Sequence, residues 1–380
     1  FTAKATDMQT DSFTLHFSSL KDSRQSAKVH YPLFDILFLT LCAVMTGAEG
    51  WEDIEDFGVH RLDWLQKRGF FQHGIPVHDT IARVISKLEP ALLQQCFIDW
   101  MNDVSERSEG ELIAIDGKPL RGSWQPGDRS SAIHMVSAFA CSNSLVLGQV
   151  KTDEKSNEIR AIPELLRLLE IKGCLVSIDA MGCQKQIAQQ IIDQNGDYLL
   201  AVKGNQARLH SALEKSFQNF DSIERQDIEQ QKSRLEGRSY QVFNAVVLPE
   251  EIKAQWPQLK TVAMTSSYRM TKEQAPCFER RYFISSAELD VDQFAHACRS
   301  HWLIENQLHW VLDVSMNEDN SQIYRENAAA NLASIRHMSL NMLRQDTSRK
   351  LSVPRKKRAL MMDPSYLDAV ITAGIGAYKK

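Results

Sequence analysis

Leu112-Ile113-Ala114-Ile115-Asp116-Gly117 and Cys174-Leu175-Val176-Ser177-Ile178-Asp179-Ala180 are two short apolar runs, each closed by an aspartate. A run of this length and composition reads as a strand buried on both faces, and a sheet covered on both faces belongs to the α/β class. Each strand delivers one carboxylate to its C-terminal edge, where loops vary on a rigid base and ligands collect. Two carboxylates on neighbouring strands can share a divalent metal ion.

The flanking sequence extends this sheet. Strand-like segments fall at 112–116, 132–139, 144–150, 174–179 and 197–202, and helices at about 158–170, 182–195 and 206–219. Three strands at hairpin spacing, followed by alternating helix and strand, give the order of a ribonuclease-H-like mixed sheet. Residues 109–219 are therefore read as the first part of an α/β core. Residues 220–289 break the alternation: a polar stretch from Gln226 to Arg238 precedes strand candidates at 240–247, 260–267 and 280–285, which reads as a β-rich insertion. Residues 290–345 return to helix as the second part of the core, and 346–380 form a basic, proline-punctuated tail.

Ahead of the sheet, 21–108 reads as a helical domain. Pro32 starts one helix, and Trp51, Ile54 and Phe57 lie on one face of another, opposite an acidic face. The segment Gly74 to Ile85 reads as a turn, a cap at Asp79 or Thr80, and a short helix. That is either a DNA-binding helix-turn-helix or a plain helical hairpin. Residues 1–20 are read as a tail, those before Met8 as foreign to the protein.

Composition narrows the class. The chain of 380 residues is 43% hydrophobic and 24% charged, ordinary for a globular protein, and its formal charge of −4 leaves any nucleic-acid contact to local patches. One patch is visible between Arg344 and Arg358, where seven basic residues, among them Arg355, Lys356, Lys357 and Arg358, meet one acid. The seven scattered cysteines form no Cys-x-x-Cys pair and suit reduced thiols in a cytoplasmic protein. No secretory leader is expected, and the apolar run Ile36–Met45 is too short to span a bilayer.

A metal site for phosphoryl transfer calls for a third acidic residue, because hard cations take oxygen ligands and two ions are poorly held by two carboxylates. The candidate lies in His301-Trp302-Leu303-Ile304-Glu305-Asn306-Gln307-Leu308-His309. On a regular helix His301, Glu305 and His309 share one face, and Trp302, Ile304, Leu308 and Val311 cover the remainder, so the helix is expected to be well buried. A buried Glu305 needs a partner. A metal shared with Asp116 and Asp179, a plain Glu–His pair, or a zinc site of His301, Glu305 and His309 would each provide one. Asp313, Glu318 and Asp319 compete for the third position. Glu158 is either a fourth acidic residue or a favourable charge in a first helical turn.

Several longer stretches resemble one known family. Ile115-Asp-Gly-Lys118, Ile178-Asp-Ala-Met-Gly-Cys-Gln184, Tyr198-Leu-Leu-Ala-Val-Lys-Gly-Asn-Gln206 and His301-Trp-Leu-Ile-Glu-Asn306 resemble bacterial insertion-sequence DDE transposases of the H-repeat-associated branch. So do Gly47–Phe57, Ile75–Arg83 and Lys151–Ile159, and the similarity runs from about residue 20 to 370. The resemblance implies a ribonuclease-H-like core and a metal-binding triad of Asp116, Asp179 and Glu305. It also implies a β insertion between the second and third acids, and the interval of 126 residues between Asp179 and Glu305 has room for one. Related transposases often carry Tyr, Arg and Lys around the helical Glu; here the Arg position is His301 and the Lys position Leu312.

The resulting expectation is a DDE transposase that uses Mg²⁺, or alternatively Mn²⁺, to cleave transposon-end phosphodiesters and transfer the 3′-hydroxyl to target DNA. Double-stranded DNA is the partner, with a homodimer on paired ends compatible and no membrane. Phosphate contacts are looked for at Lys118, Arg121, Lys203, Asn205, Arg299, His301 and His309, besides the basic patch. Two other readings stand beside it: a metal-dependent nuclease without strand transfer, and an inactive DNA-binding relative.

Overall fold

The computed structural model describes residues 12–22, 24–25, 29–105, 108–125, 127–128, 131–152, 158–218, 225–231, 234–271 and 277–375. Its first half is helical: α1 (Ser12–Phe17), α2 (Leu33–Thr46), α3 (Trp51–His60), α4 (Leu62–Gln66), α5 (His78–Ser86) and α6 (Pro90–Val104). α2 is apolar all round and almost wholly buried, and it ends at Gly47, whose φ of 115° only glycine adopts without strain. α1 is no tail. Phe13 and Phe17 stack on each other and meet Trp100 of α6 edge-on at 5.5 and 5.9 Å, so aromatic burial docks this short helix. The α5 cap also differs from expectation: Val77 precedes the helix, and Glu55 of α3 accepts the His78 N–H at 2.7 Å.

The sheet begins with β1 (Leu112–Pro119), β2 (His134–Ala140) and β3 (Leu145–Thr152). α7 (Glu158–Leu168), β4 (Leu175–Ile178), α8 (Lys185–Asp193), β5 (Asp197–Val202) and α9 (Ala207–Gln218) follow. β1–β3 are an antiparallel meander, β4 and β5 run parallel to β1, and the spatial order is β3-β2-β1-β4-β5. This is the ribonuclease-H-like order that the spacing implied. Alternate residues face opposite cores. Leu112, Ala114 and Leu175 face the N- and C-terminal helices, while Ile113, Ile115, Val176 and Ile178 face the α7–α9 layer. Burial on both sides explains why the strands read as continuous apolar runs.

β6 (Arg225–Gln231), β7 (Arg234–Asn244), the short α10 (Glu250–Lys253), β8 (Thr261–Thr271) and β9 (Cys277–Ser285) follow. β9 pairs antiparallel with β5, so the insertion prolongs the core sheet to nine strands. β6 lies in the stretch read as merely polar. It is the outermost strand, and Arg225, Asp227 and Glu229 give it the charged character that edge strands carry.

The chain closes with α11 (Val291–His301), a π turn (Ile304–His309), α12 (Trp310–Ser315), α13 (Ala328–Gln345), α14 (Val353–Met362) and α15 (Pro364–Ile375). α13 is buried from Ala328 to Leu343 and packs against α2, α5, α6 and β3. Residues 353–375, expected as a loosely structured tail, are thus helical. Pro354 sits in the first turn of α14, where a missing N–H costs nothing, rather than interrupting structure. Residues 1–11 and 376–380, at the two expected tails, lie outside the described residues. Among the described residues no single helix is long and apolar enough to cross a membrane.

Candidate active site at the strand ends

Ile115 of β1 pairs with Ile178 of β4, so Asp116 and Asp179, each one residue further on, occupy equivalent levels on adjacent parallel strands. Asp116 is mostly buried, and burial raises its carboxyl from 3.8 to about 6; nearby His309 works against that rise, and the charges of Asp179 and Glu305 add to it. Asp179 is more exposed. Its carboxylate accepts the Met181 N–H at 3.0 Å and caps the short 3₁₀ turn Ala180–Gly182. The loop after β5 is tied to that turn, with Asn205 Nδ2 donating to the Ala180 carbonyl at 2.7 Å and Gln206 Nε2 to Cys183 at 2.8 Å.

Glu305 arrives from the far end of the sequence on the π turn. One extra residue per turn widens the backbone locally, a distortion that recurs at functional sites. Ile304 and Leu308 anchor the turn in the core, and the Glu305 side chain is left 51% exposed. The helix is therefore not buried all round as expected: Trp302 is 47% and Trp310 58% exposed, flanking Glu305 on either side in sequence. For Trp310 regular α periodicity cannot anticipate this, because the π turn before it shifts the helical phase.

His309 lies between the two acids. Its Nδ1 is 3.4 Å from Glu305 Oε2 and 3.8 Å from Asp116 Oδ2, and its attraction holds Glu305 below the usual glutamate range. One ligand atom from each of Asp116, Glu305 and His309 falls within 4.8 Å of the others. Ligands at about 2.1–2.3 Å from one ion are separated by no more than about 4.5 Å, so these donors suit a single cation after a small adjustment. Asp179 is outside that set. His301 is outside it as well, because its Nδ1 meets Ser177 Oγ of β4 at 3.0 Å and burial keeps its pKa below the ordinary histidine value. The zinc arrangement through His301 is thus not formed.

The competing acids have another partner. Lys118, two residues beyond Asp116, is buried; its Nζ pairs with Asp313, lies 2.8 Å from Glu318, and is 3.9 Å from Asp319. Burial opposes the Lys118 charge, yet Glu318 and Asp313 outweigh it and hold its pKa above the ordinary lysine value. Arg336 and His337 of α13 add to the field on buried Glu318. Lys118 therefore braces β1 against α12 instead of facing a phosphate. Close packing continues beside it: a Cβ on Gly122 would lie 2.0 Å from the Ser321 carbonyl oxygen. Glu158, at the start of α7, is buried 3.7 Å from His134, and its carboxylate packs on Gly117.

The other expected phosphate contacts divide by exposure. Arg121, Lys203, Arg355 and Arg358 are exposed. Arg299 pairs with Glu229 at 2.9 Å and Asp227 at 3.4 Å, across to β6. Lys356 is buried against Asp346 and the Leu343 carbonyl, and Lys357 donates to the Ser315 carbonyl at 2.6 Å. Two of the four basic residues of α14 thus fasten it to its neighbours. The sequence reading missed the Lys118 network and the exposed tryptophans; the Ile-Asp-Gly-Lys spacing was the available hint for the former.

Comparison with known proteins identifies the family. Residues 107–342 match the family described as "Transposase DDE domain", and residues 14–101 match "DDE_Tnp_1-associated". "Putative transposase YncI" of Escherichia coli O157:H7 is 49% identical over 96% of this chain and 96% of its own length. "H repeat-associated putative transposase YhhI" of Escherichia coli (strain K12) is 48% identical over 95% of this chain and 97% of its own. A solved piggyBac transposase synaptic complex with hairpin DNA aligns at a TM-score of 0.42 and 11% identity, over 93% of this chain and 77% of the other. The chain belongs to the DDE transposase family.

Proposed function

We propose that the chain cleaves DNA phosphodiesters at transposon ends and joins the freed 3′-hydroxyls to target DNA, with Asp116, Asp179 and Glu305 holding divalent metal, Mg²⁺ or Mn²⁺. The observation that supports this most is the meeting of Asp116 with Glu305, residues 189 positions apart in sequence, at the end of the strand pair that also presents Asp179. Bound there, the metal would supply the positive charge that activates an attacking oxygen and steadies a leaving one. The protein's part is placement. β1 and β4 fix two carboxylates at one level, and the π turn brings the third. Burial of Asp116 keeps the local dielectric low, so electrostatic attraction to a cation is strong.

DNA would approach over exposed Lys203 and Arg121, with Arg355 and Arg358 on α14, giving a salt-sensitive affinity directed mainly at phosphates. A homodimer would bring two ends together. A second reading, cleavage without joining, draws on His301 and Leu312: both stand where relatives carry cationic phosphate contacts, and Leu312 is buried. A labelled duplex carrying the DNA that flanks the coding sequence separates the readings. Joined strands in Mg²⁺ or Mn²⁺, lost in Asp116→Asn, Asp179→Asn and Glu305→Gln, are expected. Cleavage without joined product favours the nuclease, and parent-like cleavage by any of these variants removes that residue from the triad.

A further inference from the structure

We infer that His309 is a nitrogen ligand of the metal, so that one ion is held by Asp116, Glu305 and an imidazole, and that this site takes Mn²⁺ in preference to Mg²⁺. The inference rests on the metal-dependent reading above and deepens it. His309 is only 4% exposed, so its ring cannot reach a DNA phosphate approaching from solvent. Its Nδ1 instead faces the two carboxylates, at 3.4 and 3.8 Å, while Nε2 on the inner side of the ring has no hydrogen-bond partner. Nδ1 thus faces the two carboxylates proposed as oxygen ligands, and a cation held by those oxygens would lie within reach of that nitrogen.

The backbone explains why the nitrogen is there. Glu305 is the second residue of the π turn and His309 the last, with Leu308 beside it in the core. The ring direction is set by packing, so the donor is preorganised. A nitrogen in the donor set changes selectivity, because imidazole favours the later transition metals, whereas Mg²⁺ prefers oxygen and retained water. Mn²⁺ is the transition-metal ion that carboxylates and water also suit, so a mixed set of two carboxylates and one imidazole favours it over Mg²⁺.

Pulsed electron paramagnetic resonance on the purified full chain, loaded with one equivalent of Mn²⁺, tests this without assaying activity. Nitrogen modulation is expected, altered by ¹⁵N-histidine labelling, kept in His301→Gln and lost in His309→Gln. Mn²⁺ affinity should fall at least about tenfold in the His309 variant, and Mg²⁺ should displace Mn²⁺ from the native chain only at more than about tenfold higher concentration. If His309→Gln fails to fold, nitrogen modulation that persists in His301→Gln decides the point. Mn²⁺ bound with no nitrogen modulation overturns the inference and leaves the carboxylate reading standing. Absence of Mn²⁺ binding to the native chain overturns both.

Discussion

Asp116→Asn should stabilise the metal-free protein while abolishing its chemistry. Burial raises the Asp116 carboxyl from 3.8 to about 6, so near pH 7.5 the fold holds a charge that it disfavours. At about 1.4 kcal/mol per unit, that shift corresponds to about 3 kcal/mol. The sign follows from linkage: a carboxylate with a raised pKa in the folded state costs stability in full above about pH 6, and the cost vanishes as pH falls below 3.8. Asn keeps the volume and removes the charge, but weakens the interaction with His309, which trims the gain to about 1–3 kcal/mol. For a chain of this length that is a rise in Tm of about 1–4 °C. Thermal unfolding in EDTA between pH 4 and pH 8 measures it. The advantage of the variant should grow from about pH 4 to pH 6 and then stay level. Saturating Mn²⁺ should reverse the ranking, because only the native chain gains from metal binding. A variant no more stable than the parent at pH 7.5, or an advantage unaffected by acid, would refute the reasoning.

Other perturbations probe separate parts of the structure. Lys118→Met should lower stability by about 3–5 kcal/mol, since it leaves Glu318 charged, buried and short of its closest cation; chemical denaturation reads this. Glu305→Gln, at a half-exposed position, should change stability by less than about 1 kcal/mol yet eliminate metal-dependent cleavage, so a large stability loss would argue against a role confined to the site. Gly122→Ala forces a Cβ against the Ser321 carbonyl and should cost about 1–3 kcal/mol by thermal melt. Arg355→Ala with Arg358→Ala should weaken DNA binding equally across sequences and reduce the salt slope by about one per lost phosphate contact; an unchanged slope removes α14 from the DNA path.

The legible parts of this molecule are those written in local pattern. β1 and β4 announce themselves because both faces are buried, and the meander followed by helix–strand alternation is enough to order the first five strands. β6 escapes notice because an edge strand needs no apolar face: Ile228 is its lone aliphatic residue, and it is exposed. Pro354 misleads because a proline that opens a helix looks the same in sequence as one that prevents it. Within the site, Glu305 is identifiable by spacing and resemblance, but its neighbourhood is not. The π turn shifts the helical phase ahead of Trp310, which lies exposed, and a 3.6-residue period contains no hint of that. Lys118 looked like a phosphate contact because its true partners, Asp313 and Glu318, lie about two hundred residues away. Non-local pairing of charges is the information that a single sequence carries least.

The most direct test is anomalous diffraction at the manganese edge from crystals of the full chain soaked in Mn²⁺. One peak is expected within about 2.2 Å of Asp116 and Glu305 oxygens, and a second at ligand distance from Asp179, with both absent in Asp116→Asn. Saturated crystals with no peak at these carboxylates, or with manganese bound only elsewhere, would contradict metal-dependent phosphodiester chemistry at the ends of β1 and β4.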